Sequence, residues 1–340
     1  MGTVDNSEQK SGKRRGVIGR IVTWLITFGC FSLVFFNVEK TAQREGLSAF
    51  EYISQFFVEA DWLSWLMLMI PYSVYFFLVD SHATWRLLRW FNTPELKFTN
   101  ILPIRGSAYI LSLVNEQVGK GAMSLYLLRR YDVPVWKAIS SMVMLGLVEI
   151  YQLLIFSAIG VLIYYDLVVQ ASTNYPLPTI MLSVYSVAFL YFPFHILYFN
   201  GSIFKQAHFS KKLREKHVLH AFKQAQLKHY VMLLLFKAPN LIGAVFVYTL
   251  ALSLFKVDVG FGQMMAFLPV IFLAAALPLP FHAGALVLWT VLFPDFPEVG
   301  VFSLIMHTFF VLFNAFIGLL FLPKANKELF LNSSKSNEGE

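Results

Sequence analysis

The sequence predicts an all-α, polytopic membrane protein, and three observations carry that expectation. The 340 residues are 57% hydrophobic and only 14% charged, whereas soluble domains carry about a quarter charged residues. The mean hydropathy of +0.61 describes more apolar surface than a globule of this length can keep from water. Apolar stretches recur along the chain, at 17–38, 62–79, 101–128, 136–165, 178–199, 230–254, 263–293 and 299–322, and most are long enough to cross about 30 Å of hydrocarbon. An aromatic content of 17%, mostly Phe, fits lipid-facing helices with Trp and Tyr near the headgroups.

Residues 1–16 form a basic tail with Lys10, Lys13, Arg14 and Arg15, expected in the cytoplasm. The apolar run after it is followed by Glu39-Lys40-Thr41 and not by a small-residue cleavage site, so it is expected to be an uncleaved first helix. The segment 39–61 is acidic and is placed outside. Within it Ser48 and Glu51 form a capping box, with Phe50, Ile53 and Phe57 on one face of a short surface helix. Segment 80–105, with Arg86, Arg89, Lys97 and Arg105, is placed inside. Arg129, Arg130 and Lys137 also belong inside.

Run 101–128 is broken by Asn115-Glu116-Gln117-Val118-Gly119-Lys120-Gly121, leaving too little on either side to cross. With basic flanks on one side, it is expected to turn back as a re-entrant hairpin. Segment 166–177 has no Lys or Arg and is external, whereas 200–229 carries seven Lys and Arg and is internal. Part of it, 211–229, is expected either to lie on anionic lipid or to be a solvated loop. Run 263–293 is broken by Pro278-Leu279-Pro280-Phe281-His282-Ala283-Gly284 between acidic, external flanks, which predicts a second hairpin from the opposite side. The order helix, helix, hairpin, helix thus occurs twice, in 17–165 and 178–322, as an inverted repeat, with 323–340 a cytoplasmic tail. About six full spans and two hairpins result. Paired broken helices in inverted repeats are a recurrent transporter architecture.

The single Cys30 excludes a disulfide framework and a cysteine metal site, and no His, Asp or Glu set has metal spacing. No P-loop, nucleophile elbow, His-Glu-x-x-His or dinucleotide fingerprint is present. The +7 charge follows topology and not nucleic acid. No cofactor or catalytic residue is therefore assigned, and the membrane lipid is the expected partner.

Ionisable residues inside apolar segments are costly and are the candidates for function. Asn115, Glu116, Gly119, Lys120 and Gly121 are expected to form a headgroup site, the glycines turning backbone N–H groups toward a phosphate and Lys120 adding charge. The alternative is that the glycines only make the turn and Lys120 neutralises Glu116. Glu149 and Gln152 share a helix face, as do Lys237 and Asn240, and His307 and Asn314. Glu149, Gln152, His282, His307 and Asn314 are expected to line a polar path. Glu149 has Lys120 or Lys237 as its possible partner, Lys237 is expected to snorkel to the cytoplasmic face, and His195 to serve as an interface residue.

The stretch Gly121-Ala122-Met123-Ser124-Leu125-Tyr126-Leu127-Leu128-Arg129-Arg130, then Asp132-Val133-Pro134, Ala138, Ser140-Ser141 and Glu149, resembles the lysylphosphatidylglycerol synthase transmembrane region family of flippase-like proteins. Leu277-Pro278-Leu279-Pro280-Phe281-His282-Ala283-Gly284-Ala285 resembles that family's later Leu-Pro-x-x-x-Gly-Gly element. The chain differs at Lys120-Gly121 and Ser124, at Leu145-Gly146, and at Leu286-Val287. The resemblance implies movement of a phospholipid or polyprenyl-linked lipid between leaflets of the inner membrane, without aminoacyl transfer. The expectation is a translocator of an anionic lipid; the alternatives are a lipid-modifying transferase with Glu149 or His282 as base, and a membrane scaffold.

Overall fold

The computed structural model describes residues 6–114, 116–171, 176–199, 216–276, 279, 282–294, 296 and 298–330, with side chains from 21 onward except at 111–120, 171, 217 and 328–330. Every regular element among them is a helix. Six are long and apolar enough to cross a membrane: Ile21–Arg44 within α1 (Asn6–Arg44), α3 (Trp62–Phe91), α6 (Val135–Ile163), α8 (Leu177–Phe199), α10 (Leu227–Leu254), and Val299–Lys327 within α13 (Val299–Phe330). This is a multi-pass membrane protein in which the backbone's polar groups are satisfied inside helices, as hydrocarbon requires.

The first connection shows how local chemistry sets the chain's course. Gly46, at φ 74°, ends α1, and the Leu47 N–H reaches back to the Ala42 carbonyl. The expected surface helix follows as α2 (Ala49–Glu59). Ser48 caps it, its Oγ accepting from the Glu51 N–H at 3.3 Å while a Glu51 oxygen accepts from the Ser48 N–H at 2.9 Å.

α3 runs past the apolar run 62–79 into the segment 80–105, expected inside. It continues to Phe91, and only 92–97 separate it from α4 (Phe98–Val114). Asp80 and the two arginines lower the hydropathy without ending the helix, because Ala83, Leu87 and Leu88 on its inner face are fully buried. By helical rise Trp65 and Trp85 are about 30 Å apart, as long as a hydrocarbon core is thick. Asp80 lies about 8 Å from the level of Trp85 by the same measure.

Each of the two interrupted runs holds two shorter helices; residues 116–121 of the first expected break are helical. α4 and α5 (Glu116–Tyr131) run antiparallel, with the Asn100 amide donating to the Tyr131 hydroxyl at 3.2 Å and Arg105 Nη1 at 3.7 Å from Met123 Sδ. α11 (Phe261–Ala275) and α12 (Ala283–Leu292) pack on each other, with Phe267 and Phe293 centroids 5.3 Å apart. Asp132, at φ 52°, closes α5 ahead of Val133-Pro134 in the left-handed conformation.

Glycines set the closest helix contacts. α4 lies along α13, where a Cβ on Gly318 would come within 2.9 Å of Ile110 and one on Gly106 would strike the Phe321 ring. α6 lies along α11, where a Cβ on Gly160 would run into the Met265 carbonyl and one on Gly262 into the Tyr164 ring. α3 runs antiparallel to α10, from the Asp61 N–H on the Leu254 carbonyl at 3.0 Å to the Trp90 and His229 rings, 5.2 Å apart.

The segment 166–177, expected outside, contains part of a short α7 (Tyr165–Ala171). The described part of the basic stretch is neither a lipid-lying helix nor a solvated loop. α9 (His220–Gln224) docks on α6, with Ala221 and Phe222 buried and the Ala221 N–H donating to Ser140 Oγ at 2.9 Å. Two apolar side chains and one buried acceptor outweigh the basic residues around them.

Candidate functional site

A cavity of about 750 Å³ lies inside the bundle, between α3, α4, α6, α10, the α11–α12 pair and α13. One part of its wall is charged. Asp80 on α3 accepts from Arg105 Nε of α4 at 2.6 Å, from Lys237 Nζ of α10 at 2.7 Å and from the Tyr109 hydroxyl at 2.9 Å. Lys237 Nζ also meets Glu149 Oε1 of α6 at 2.6 Å. Four helices therefore converge through two carboxylates and two cations, a neutral set among the described residues. That balance lets charges lie in an apolar bundle at all, since an unpaired one would cost several kcal/mol.

The four members differ in access. The Asp80 side chain is 2% exposed, Lys237 6%, Arg105 17% and Glu149 38%. Asp80 is locked by three donors, whereas Glu149 faces the cavity and touches the set through Lys237. Two more polar atoms in this wall lack partners: Gln152 Nε2 and Asn240 Oδ1 are buried without a hydrogen bond. Gln152 lies one turn beyond Glu149, and Asn240 three residues beyond Lys237, so each follows its charged neighbour into the same space. Buried polar atoms without protein partners mark a place for water or a ligand.

His282 and Asn314 line the cavity as well. His282 is the N-cap of α12 at φ 52° and ψ 39°, and its ring centroid is 4.4 Å from that of His307 on α13. Among the described residues no cluster of three or more His, Cys, Asp or Glu side chains could hold a metal ion.

The polar path expected from sequence is thus assembled in one place: Glu149, Gln152, His282 and Asn314 share the cavity wall, with His307 against His282. The expected headgroup site is described only in part. Asn115 and the side chains of Glu116 and Lys120 lie outside the described residues. The backbone of Gly119, Lys120 and Gly121 is helical within α5, so the glycines make neither a nest nor the turn. A Cβ on Gly121 would meet nothing within 4 Å.

Lys237 does not snorkel; at 5% exposure it is clamped between Asp80 and Glu149. Glu149 pairs with Lys237, one of its two expected partners; the side chain of the other, Lys120, lies outside the described residues. His195 is a buried interface residue, with Nε2 3.1 Å from the Tyr230 hydroxyl.

Asp80, Arg105 and Tyr109 are the site residues that sequence reasoning missed, because Asp80 and Arg105 were assigned to a cytoplasmic segment by charge. A signal was present. Thr84, Leu87, Leu88 and Phe91 follow Asp80 at helical spacing, which extends the buried face of α3 past the charges.

The chain matches no protein-family model, no curated protein and no solved structure.

Proposed function

We propose that this protein is a lipid translocator of the cytoplasmic membrane that receives the anionic headgroup of a phospholipid or polyprenyl-phosphate-linked lipid in the central cavity. The acyl or prenyl chains stay among the lipid-facing helices. The observation that carries this reading is the cavity wall itself. Lys237 and Arg105 place two cations there, and the Gln152 amide, a donor without a protein partner, stands beside them. Such a wall offers a phosphate both charge and directed N–H groups.

The packing of the broken helices supports an inverted repeat behind this site. α4, from the first half of the chain, lies along the last helix of the second half, and α11, from the second half, lies along the last long helix of the first. A two-fold axis in the membrane plane would exchange these pairs. In this reading α4–α5 enters from the cytoplasm, α11–α12 from outside, and both termini are cytoplasmic, as the basic residues near them favour.

Leaflet exchange of labelled phosphatidylglycerol and of a labelled polyprenyl phosphate in proteoliposomes tests the function. The protein is expected to accelerate exchange over empty vesicles, and Gln152→Leu, which removes the unpartnered amide and leaves the ion pairs in place, to slow it by about tenfold, one hydrogen bond to a charged group. Exchange no faster than in empty vesicles for either lipid would overturn the translocator reading.

A further inference from the structure

We infer that Glu149 holds, on Lys237, the position that the headgroup phosphate takes, and that the phosphate enters together with one proton, which Glu149 accepts. The cavity is then a site for an anion and a proton as a pair. This rests on the translocator reading and adds to it a coupling ion.

The argument starts from charge balance. Asp80 and Glu149 neutralise Arg105 and Lys237. A phosphodiester monoanion that reaches Lys237 makes the set negative by one, with Glu149 as its nearest like charge. Two such charges about 4 Å apart repel by about 4 kcal/mol at the effective dielectric of a partly buried site. Proton uptake by one carboxylate removes that cost, and the two carboxylates are not equivalent. Asp80 is enclosed by Arg105, Lys237 and Tyr109 and gains nothing from a proton it would have to accommodate among three donors. Glu149, 38% exposed and tied in through Lys237, can turn away and be protonated.

The neighbouring amides fit the exchanged state better than the empty one. Gln152 Nε2 is a donor awaiting an acceptor, which a phosphate oxygen supplies. Asn240 Oδ1 is an acceptor awaiting a donor, which a protonated carboxyl or a headgroup hydroxyl supplies and a carboxylate does not. No covalent bond is made or broken: one phosphate monoanion and one proton enter, and both leave on release.

Among the described residues, the titratable and charged groups facing Glu149 across the cavity are Asp80 from α3, Arg105 and Tyr109 from α4, Lys237 from α10 and His282 at the start of α12, with the phenols of Tyr72 and Tyr248 in the same lining. α11 presents only apolar Phe272 and Ala275 to it.

Short-chain phosphatidylglycerol titrated into the detergent-solubilised full-length protein, by calorimetry in buffers of different ionisation enthalpy, counts the protons taken up per lipid bound. About one is expected for the wild type, and none for Glu149→Gln, which imitates the protonated carboxyl and still binds the lipid. Binding by the wild type without proton uptake overturns the inference, as does uptake that persists in Glu149→Gln or a failure of the lipid to bind. A pH difference imposed across proteoliposomes provides the second arm. It should drive labelled phosphatidylglycerol in the wild type and leave exchange by Glu149→Gln indifferent to its direction; equal driving of both proteins counts against coupling at this residue. Proton-linked binding without any leaflet exchange would sink the translocator reading while leaving the paired site intact.

Discussion

Asp80 concentrates the energetics of the site in one carboxylate. Its removal strands two cations in the bundle, so Asp80→Ala is expected to cost about 3–5 kcal/mol, read as a large fall in melting temperature of the solubilised protein. Tyr109→Phe, which removes one donor to the same carboxylate, is expected to cost less, about 1.5–3 kcal/mol. A second carboxyl acts outside the spans. Glu298, before α13, accepts from the Tyr52 hydroxyl of α2 at 2.8 Å, and its burial raises its proton affinity above the ordinary carboxyl range. The folded protein holds that proton more tightly than the unfolded chain. Stability from this group is therefore greatest below the ordinary carboxyl pKa and falls as pH rises through the elevated one. Melting curves from about pH 4 to about pH 7 should show that decline in the wild type and not in Glu298→Gln, which keeps an acceptor for Tyr52. Residue roles were partly legible in the sequence: Glu149, Gln152, His282 and Asn314 stood out as polar groups in apolar runs and do share a cavity. Asp80 and Arg105 did not, because charge near the end of an apolar run has the same signature whether it leaves the membrane or pairs inside it.

At the scale of elements, the glycine contacts decide how closely helices approach. Gly160→Val places a branched side chain against the backbone of α11 at Met265 and Ala266, where nothing flexible can give way. A loss of about 1–3 kcal/mol in stability is expected, against no measurable loss for Gly146→Ala, where a Cβ meets open space, both read by thermal melting. Sequence found all six spanning helices, since hydropathy over such lengths reports directly on the solvent around a helix. It could not place the partners. Whether α4 lies along α13 or along α6 depends on which small residues face each other, and a glycine in an apolar run looks the same in either arrangement. The fate of 217–225 was hidden for a related reason: the buried pair Ala221-Phe222 is too short a signal to outweigh the lysines beside it.

For the whole molecule the membrane topology is the open geometrical question, and cysteine chemistry can answer it because Cys30 is the only native thiol. With Cys30 replaced by Ser, single cysteines at the exposed positions Glu45, Lys97, Arg130 and Asp258 can each be labelled with an impermeant thiol reagent. Positions 97 and 130 are expected to react from one side and 45 and 258 from the other. Reaction of 97 and 130 from opposite sides would mean that α4 and α5 together cross the bilayer, and the inverted repeat would fall with it. The charged cluster also bears on how the chain is made. Asp80 and Arg105 are 25 residues apart, on helices that follow one another, while Lys237 is 157 residues from Asp80. During synthesis α3 and α4 leave the ribosome together, so Arg105 can enter the insertion machinery already neutralised by Asp80. Lys237 arrives much later, as a lone ammonium on a helix that has no acid of its own, and the carboxylates it requires are already waiting in the bilayer. The order of the charges along the chain is thus an assembly schedule: the first pair makes the early helices insertable, and the later cation is drawn in to finish the bundle.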